Sequence, residues 1–137
     1  MKLVIDTNIL IAGLLRESTV RKILSSEEIQ FFIPEDALGE IEKYKNELIK
    51  KSGMSNEAIS EVMNLLLENI EIVPKEQIKN KLKEAENIMR DIDIKDSPFI
   101  ATVLSIKSDG LWSFDNDFKK QNKIKVYSIK ELLKIIG

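Results

Sequence analysis

The chain has 137 residues, 43% of them hydrophobic, with 21 lysines and arginines against 23 acids and a formal net charge of −2. Those values suit one folded domain over residues 1–137 with a real core, and exclude both a disordered chain and a strongly basic nucleic-acid binder. The sequence holds no cysteine and no histidine, which removes disulfides, thiolate and imidazole metal sites, and every triad built on a histidine base.

Elements follow one another in a regular order. KLVID (2–6) reads as a short buried strand. Its aspartate interrupts any signal-peptide core, and no apolar run reaches the ~18 residues of a membrane span. A soluble, cytoplasmic protein that makes no membrane contact is the expectation. A helix should begin near Asn8 and another cover STVRKILSS (18–26). IQFFI (29–33) is a second strand, closed by Pro34. Residues 35–51 show helical spacing, with Ala37, Ile41, Tyr44 and Leu48 on one face and Gly53 as the stop. Residues 55–69 form a helix with Ser55 as N-cap, IEIV (70–73) a strand, and 75–89 an amphipathic helix. DIDIKD (91–96) is an acidic loop before an apolar helix at 97–108, whose Pro98 sits in the first turn. GLWSF (110–114) and KVYSI (125–129) are strands, and KELLKII (130–136) closes the chain. Strands alternating with helices predict an α/β fold, an α/β/α sandwich around a mainly parallel sheet. Ligands in such sheets bind beyond the carboxyl ends of the strands.

Five glycines, at 13, 39, 53, 110 and 137, build neither GxGxxG nor GxxxxGK[ST]. Chemistry must therefore rest on carboxylates, hydroxyls, lysines or a metal. Asp6 directly follows the first strand, with no basic residue downstream until Arg16, and Asp115 follows LWSF in the same way. Asp96 precedes the apolar helix. Glu40 lies about one turn into the helix after Pro34, some 60° from Ala37 by the ~100° step of a helix, so it flanks the buried stripe. Each acid has an ordinary reading: Asp96 as a helix cap, Asp115 and Asp117 as an Asx-turn, Glu40 as a solvated position. Together they would repel one another unless a hard divalent cation, Mg²⁺ or Mn²⁺, joined them. Such a cation activates water and clamps phosphodiester oxygens.

LVIDTNIL, PEDALGEIEKY (34–44), DIDIKDSPFIATVL (91–104) and LWSFDNDFKKQNKIKVYS (111–128) resemble, in order, the four motif regions of the PIN domain family, which includes the VapC-type toxins of toxin–antitoxin pairs. The resemblance implies a PIN-like sandwich and a Mg²⁺- or Mn²⁺-dependent endoribonuclease whose products are a 5′-phosphate and a 3′-hydroxyl. It implies Asp6, Glu40, Asp96 and Asp115 as catalytic metal ligands, with Asp117 as an extra acid that binds through water. Thr7, Asn8 and Ser113 would orient carboxylates, with Asn8 as a simple helix cap the alternative. Asp93 competes with Asp96 for the third position. The family often has Thr-Gly-Asp before the last acid, where this chain has Ser113-Phe114-Asp115. The implied partners are RNA and an antitoxin; the amphipathic helices at 55–89 would also offer an apolar face to a second copy of the chain, with ordinary core packing the alternative. Two rival classes stand beside this one: a non-catalytic RNA- or partner-binding module, and an aspartate-based phosphatase or phosphotransfer domain. DTN in place of DxD after the first strand argues against the latter.

Overall fold

The computed structural model describes residues 1–15 and 18–137. β1 (Lys2–Ile5) leads into α1 (Thr7–Leu14) and α2 (Ser18–Leu24). β2 (Gln30–Pro34) leads into α3 (Glu35–Lys43), α4 (Lys45–Ser52) and α5 (Asn56–Leu67). After β3 (Ile70–Val73) come α6 (Lys75–Ile78), a 3-10 turn at Lys79–Lys81, α7 (Leu82–Met89), a 3-10 turn at Ile94–Asp96 and α8 (Ser97–Ile106). β4 (Gly110–Trp112) is followed by a 3-10 segment at Asn116–Lys120, and β5 (Val126–Tyr127) by α9 (Ile129–Ile136).

The sheet is parallel throughout, in the order β3-β2-β1-β4-β5. β1 lies at its centre, with Leu3 opposite both Phe31 and Gly110. Leu3, Val4 and Ile5 are fully buried, as a strand covered on both faces requires, and each contributes roughly 1.5–3 kcal/mol of burial. Crossovers take the chain from β1 to β2 to β3 in one direction and back across to β4. The helices therefore split between the two faces. α8 packs on β1, β2 and β4 and against α6 and α7, while α1 packs with α2, α3 and α5, and α9 rests on α2.

Local chemistry explains most boundaries. Ser55 Oγ accepts from Ala58 N at 3.1 Å, and Gly53 at φ 69° closes α4. Ser128 and Glu131 form a reciprocal capping box, which starts α9 one residue earlier than expected. At Gly110 a side chain is impossible: a Cβ would collide with the Lys125 carbonyl and stand 2.9 Å from the Tyr127 ring. β5 can thus lie tightly on β4, and Leu111 N donates to Lys125 O at 2.9 Å.

Three expectations need correction. The helix expected over 35–51 is two helices, broken at Tyr44 (φ −98°, ψ 9°). The break takes Tyr44 off the buried stripe; Ala37, Ile41 and Leu48 are buried and Tyr44 is exposed. The helix expected over 75–89 is interrupted by the 3-10 turn at Lys-Asn-Lys, where asparagine is a poor helix former. The strands expected at 110–114 and 125–129 shrink to 110–112 and 126–127. Apolar content alone extended them. Ser113 leaves the ladder to bond the Asp6 carboxylate and the Asp115 N–H, and Phe114 turns outward.

A carboxylate cleft at the switch point of the sheet

The chain leaves β1 toward one side of the sheet and reaches β4 from the other. The carboxyl ends of these two neighbours therefore bound a crevice, the usual ligand position in an open α/β sheet. Asp6 stands there, immediately after Ile5 and 4% exposed. Its main-chain N–H donates to Trp112 O at 3.4 Å, across the β1–β4 boundary. Its carboxylate has two tasks. Oδ1 accepts from Ile9 N at 3.1 Å and so caps α1, and Oδ2 accepts from the Ser113 hydroxyl. Ser113 Oγ in turn accepts from Asp115 N at 2.9 Å. One buried serine thus ties the first acid to the last.

Asp115 lies three residues past β4 rather than at its end. Its Oδ1 accepts from Asp117 N at 2.9 Å, an Asx-type cap on the 3-10 segment. Glu40, in the second turn of α3, accepts from Thr7 Oγ1 through Oε2 at 3.2 Å, as its flanking position on the helix allows. Asp96 occupies the N-cap position of α8 but makes no capping bond with its side chain. Asp6, Thr7, Asn8, Glu40, Tyr44, Asp96 and Asp115 line a cleft of about 320 Å³, over a floor of Ile11, Phe99 and Phe118.

Charge is unbalanced in this space. Among the described residues no lysine or arginine lines it, and Arg16 lies outside them. Burial pushes the Asp6 carboxyl above its ordinary range, and the Asp115 charge adds to the shift, against the lowering effect of the Ser113 and Ile9 bonds. Asp96 is pushed up to about 6, first by burial and then by the charges of Asp93, Asp115, Asp6 and Glu40. The four acids therefore feel one another across the cleft, which is the condition a cation relieves.

The donor set is all oxygen, which suits Mg²⁺ or Mn²⁺. As the side chains stand, no three carboxylates among the described residues converge at metal-ligand spacing. Asp6, Glu40 and Asp115 are each turned onto a hydrogen bond of their own, and rotation about χ angles is what would bring them together. Asp117 and Asp93 are not part of the cleft lining. Asp117 is held by Lys120 at 2.8 Å, and Asp93 accepts from Lys95 N at 3.1 Å at the start of its 3-10 turn. Asp93 acts on the cleft only through its charge on Asp96. Sequence reasoning missed Tyr44 as a wall of the cleft, because unbroken periodicity put it in the core.

Comparisons with known proteins follow this geometry. The structure is similar to a chain of the VapBC2 complex from Rickettsia felis bound to a DNA fragment from their promoter, with a TM-score of 0.73 at 15% identity, over 93% of this chain and 98% of that one. It is also similar to a chain of a toxin-antitoxin complex from Klebsiella pneumoniae, with a TM-score of 0.64 at 16% identity, over 93% of this chain and 97% of that one. At such identities the likeness is one of fold. No curated protein matches the chain. Among the described residues no helix is long and apolar enough to cross a membrane. The PIN domain family model matches residues 4–129, and the chain belongs to the PIN domain family.

Proposed function

We propose that the chain is a divalent-metal-dependent endoribonuclease, working as one unit over residues 1–137, and the toxin of a toxin–antitoxin pair. One observation carries the reading: four acids from four separated segments line a single cleft at the switch point, and among the described residues no cation lines it. Asp6, Glu40, Asp96 and Asp115 would hold Mg²⁺ or Mn²⁺, which supplies Lewis acidity toward a phosphodiester. Around that group the chain's own residues have separable work. Ser113 fixes Asp6 and the Asp115 backbone in one register. Thr7 orients Glu40, and Asn8 offers a further polar group at the cleft. Asp117, neutralised by Lys120, is an outer acid that reaches the site through water. The floor of Ile11, Phe99 and Phe118 limits solvent beneath the reacting phosphate. The toxin reading draws on the likeness in fold to chains of toxin–antitoxin complexes, and makes an antitoxin the protein partner.

The test pairs the wild type with Asp6→Asn, since asparagine can still cap α1. RNA should be cleaved with Mg²⁺ or Mn²⁺ and left intact with EDTA or by the variant, and expression of the wild type alone should arrest growth. Cleavage that survives EDTA would sink the proposal. A second reading, a PIN-fold module that binds RNA or a partner without chemistry, is favoured by the absence of any three described acids at ligand spacing. Calorimetry with Mn²⁺ separates the two: no heat at millimolar metal supports the module.

A further inference from the structure

The exposed large hydrophobic side chains include Tyr44 (53% exposed), Ile94 (50%) and Phe114 (45%). Single exposed apolar residues are ordinary. These three sit in three of the four segments that supply acids: Tyr44 one turn after Glu40, Ile94 two residues before Asp96, and Phe114 next to Asp115. Tyr44 lines the cleft. In the strand order β2-β1-β4, Tyr44 belongs to the connection after β2 and Phe114 to the one after β4; Phe114 lies outside the cleft lining but stands between Ser113, which binds Asp6, and Asp115, which lines the cleft.

The Phe114 ring and the Tyr44 backbone are held in advance. Phe114 packs edge-to-face on the fully buried Trp112, at 6.4 Å between centroids and 84° between planes. Its backbone lies between Ser113, locked to Asp6, and Asp115, locked to Ser113. Tyr44 ends α3 with its N–H held by the carbonyls of Glu40 and Ile41, at 3.3 and 3.1 Å. A rigid aromatic ring with an open face binds at little entropic cost.

Resting on the ribonuclease reading above, we propose that Phe114 and Tyr44 are stacking platforms for unpaired bases on the two sides of the scissile phosphate, and so select single-stranded RNA. Every base has a π-face, and stacking on an aromatic side chain is strong enough to position a strand without reading its sequence. Bases within a duplex are unavailable for it. With a divalent cation held by the cleft acids, a phosphate would be drawn there and the adjoining bases would meet the two rings. Phe114 sets specificity rather than chemistry, since its ring carries no group that moves a proton.

The experiment uses Asp6→Asn as a non-cleaving background in Mg²⁺, and single-stranded RNA carrying 2-aminopurine, whose fluorescence falls on stacking. Phe114→Ala should weaken binding about 5- to 150-fold and restore the fluorescence. Phe114→Trp should preserve both, and Phe114→Leu, apolar but without a π-face, should behave like alanine. Tyr44→Ala should repeat the loss and Tyr44→Phe should not, and a duplex of the same sequence should bind weakly and respond to none of these changes. Circular dichroism confirms that each variant is folded. If affinity and fluorescence are indifferent to both residues, or if leucine serves as well as tryptophan, the proposal is wrong, and a protein partner becomes the better occupant of the rim. If stacking is found while the wild type cleaves no RNA, the nuclease reading fails and the two rings remain base platforms of a site that binds RNA without cutting it.

Discussion

Two concave regions of the molecule invite comparison. The larger is a groove of about 650 Å³ between α7 and the loop before β5, walled by Glu84, Asp91, Lys119, Lys120 and Lys123, with amides from Asn87, Gln121 and Asn122. The smaller is the carboxylate cleft of about 320 Å³. In the groove opposite charges share the walls, and nothing is strained toward a ligand. In the cleft the charged side chains among the described residues are all acids, and burial together with mutual repulsion lifts Asp6 and Asp96. Volume does not identify a site; uncompensated charge at a topological crevice does.

Substitutions can break that contrast. If Asp6 holds the cation as proposed, Asp6→Asn should cut metal-dependent cleavage by about three orders of magnitude, the loss of several kcal/mol of transition-state stabilisation; single-turnover assays on labelled RNA measure it. No lysine in the groove should approach this effect. Ser113→Ala comes next. It strips one hydrogen bond from Asp6 and one from the Asp115 N–H, both beside the buried core, and should destabilise the fold by about 1–3 kcal/mol in urea titration. Retained stability would mean that water replaces the hydroxyl.

The third effect depends on pH. Asp96 titrates near 6 in the folded chain and near 4 unfolded, so above pH 4 the unfolded state ionises more readily. Its contribution to stability is full below about pH 4 and is lost as the pH rises through 6. Screening of this half-exposed group leaves about 1 kcal/mol. Without metal, Asp96→Asn should therefore raise stability at pH 7 and flatten the profile between pH 4 and 7; with Mn²⁺ the wild type should gain stability that the variant lacks. An unchanged profile would show that Asp96 is not crowded by its neighbours. Smallest of all is Lys120→Ala, which removes an exposed ion pair with Asp117 and should leave the urea midpoint unmoved. A clear drop there would give the groove side of the molecule a structural role it does not have in the contrast above.

How far these features were legible in the sequence varies with the range of the interaction behind them. Leu3-Val4-Ile5 reads as a central strand because a run buried on both faces has only one pattern. Ser55, Gly53 and the alternation of elements are local signals, and they mark true boundaries. Tyr44 is different: no proline or glycine marks the break between α3 and α4, so periodicity carried the helix through it. Phe114 has the apolarity of a strand residue, yet its neighbour Ser113 is recruited by Asp6, 107 residues away. Glu40 could be placed on the flank of its helix from angles alone, whereas its meeting with Thr7 depends on β1 and β2 being neighbours. The hidden part of the cleft is the strand order, which no window of sequence contains.

The Asp6–Ser113 bond carries a consequence in time. A chain growing at about 5–20 residues per second makes Asp6 at once, but the serine that fixes it and the aspartate beside that serine come 107 and 109 residues later. β1 can pair with β2 early, and its other edge must wait for β4. The cleft is thus among the last parts of the molecule to exist: a nascent chain can carry most of its hydrophobic core and still lack half the walls of its site. Under the proposed nuclease function, harmlessness to the cell's own RNA during synthesis would follow from topology alone.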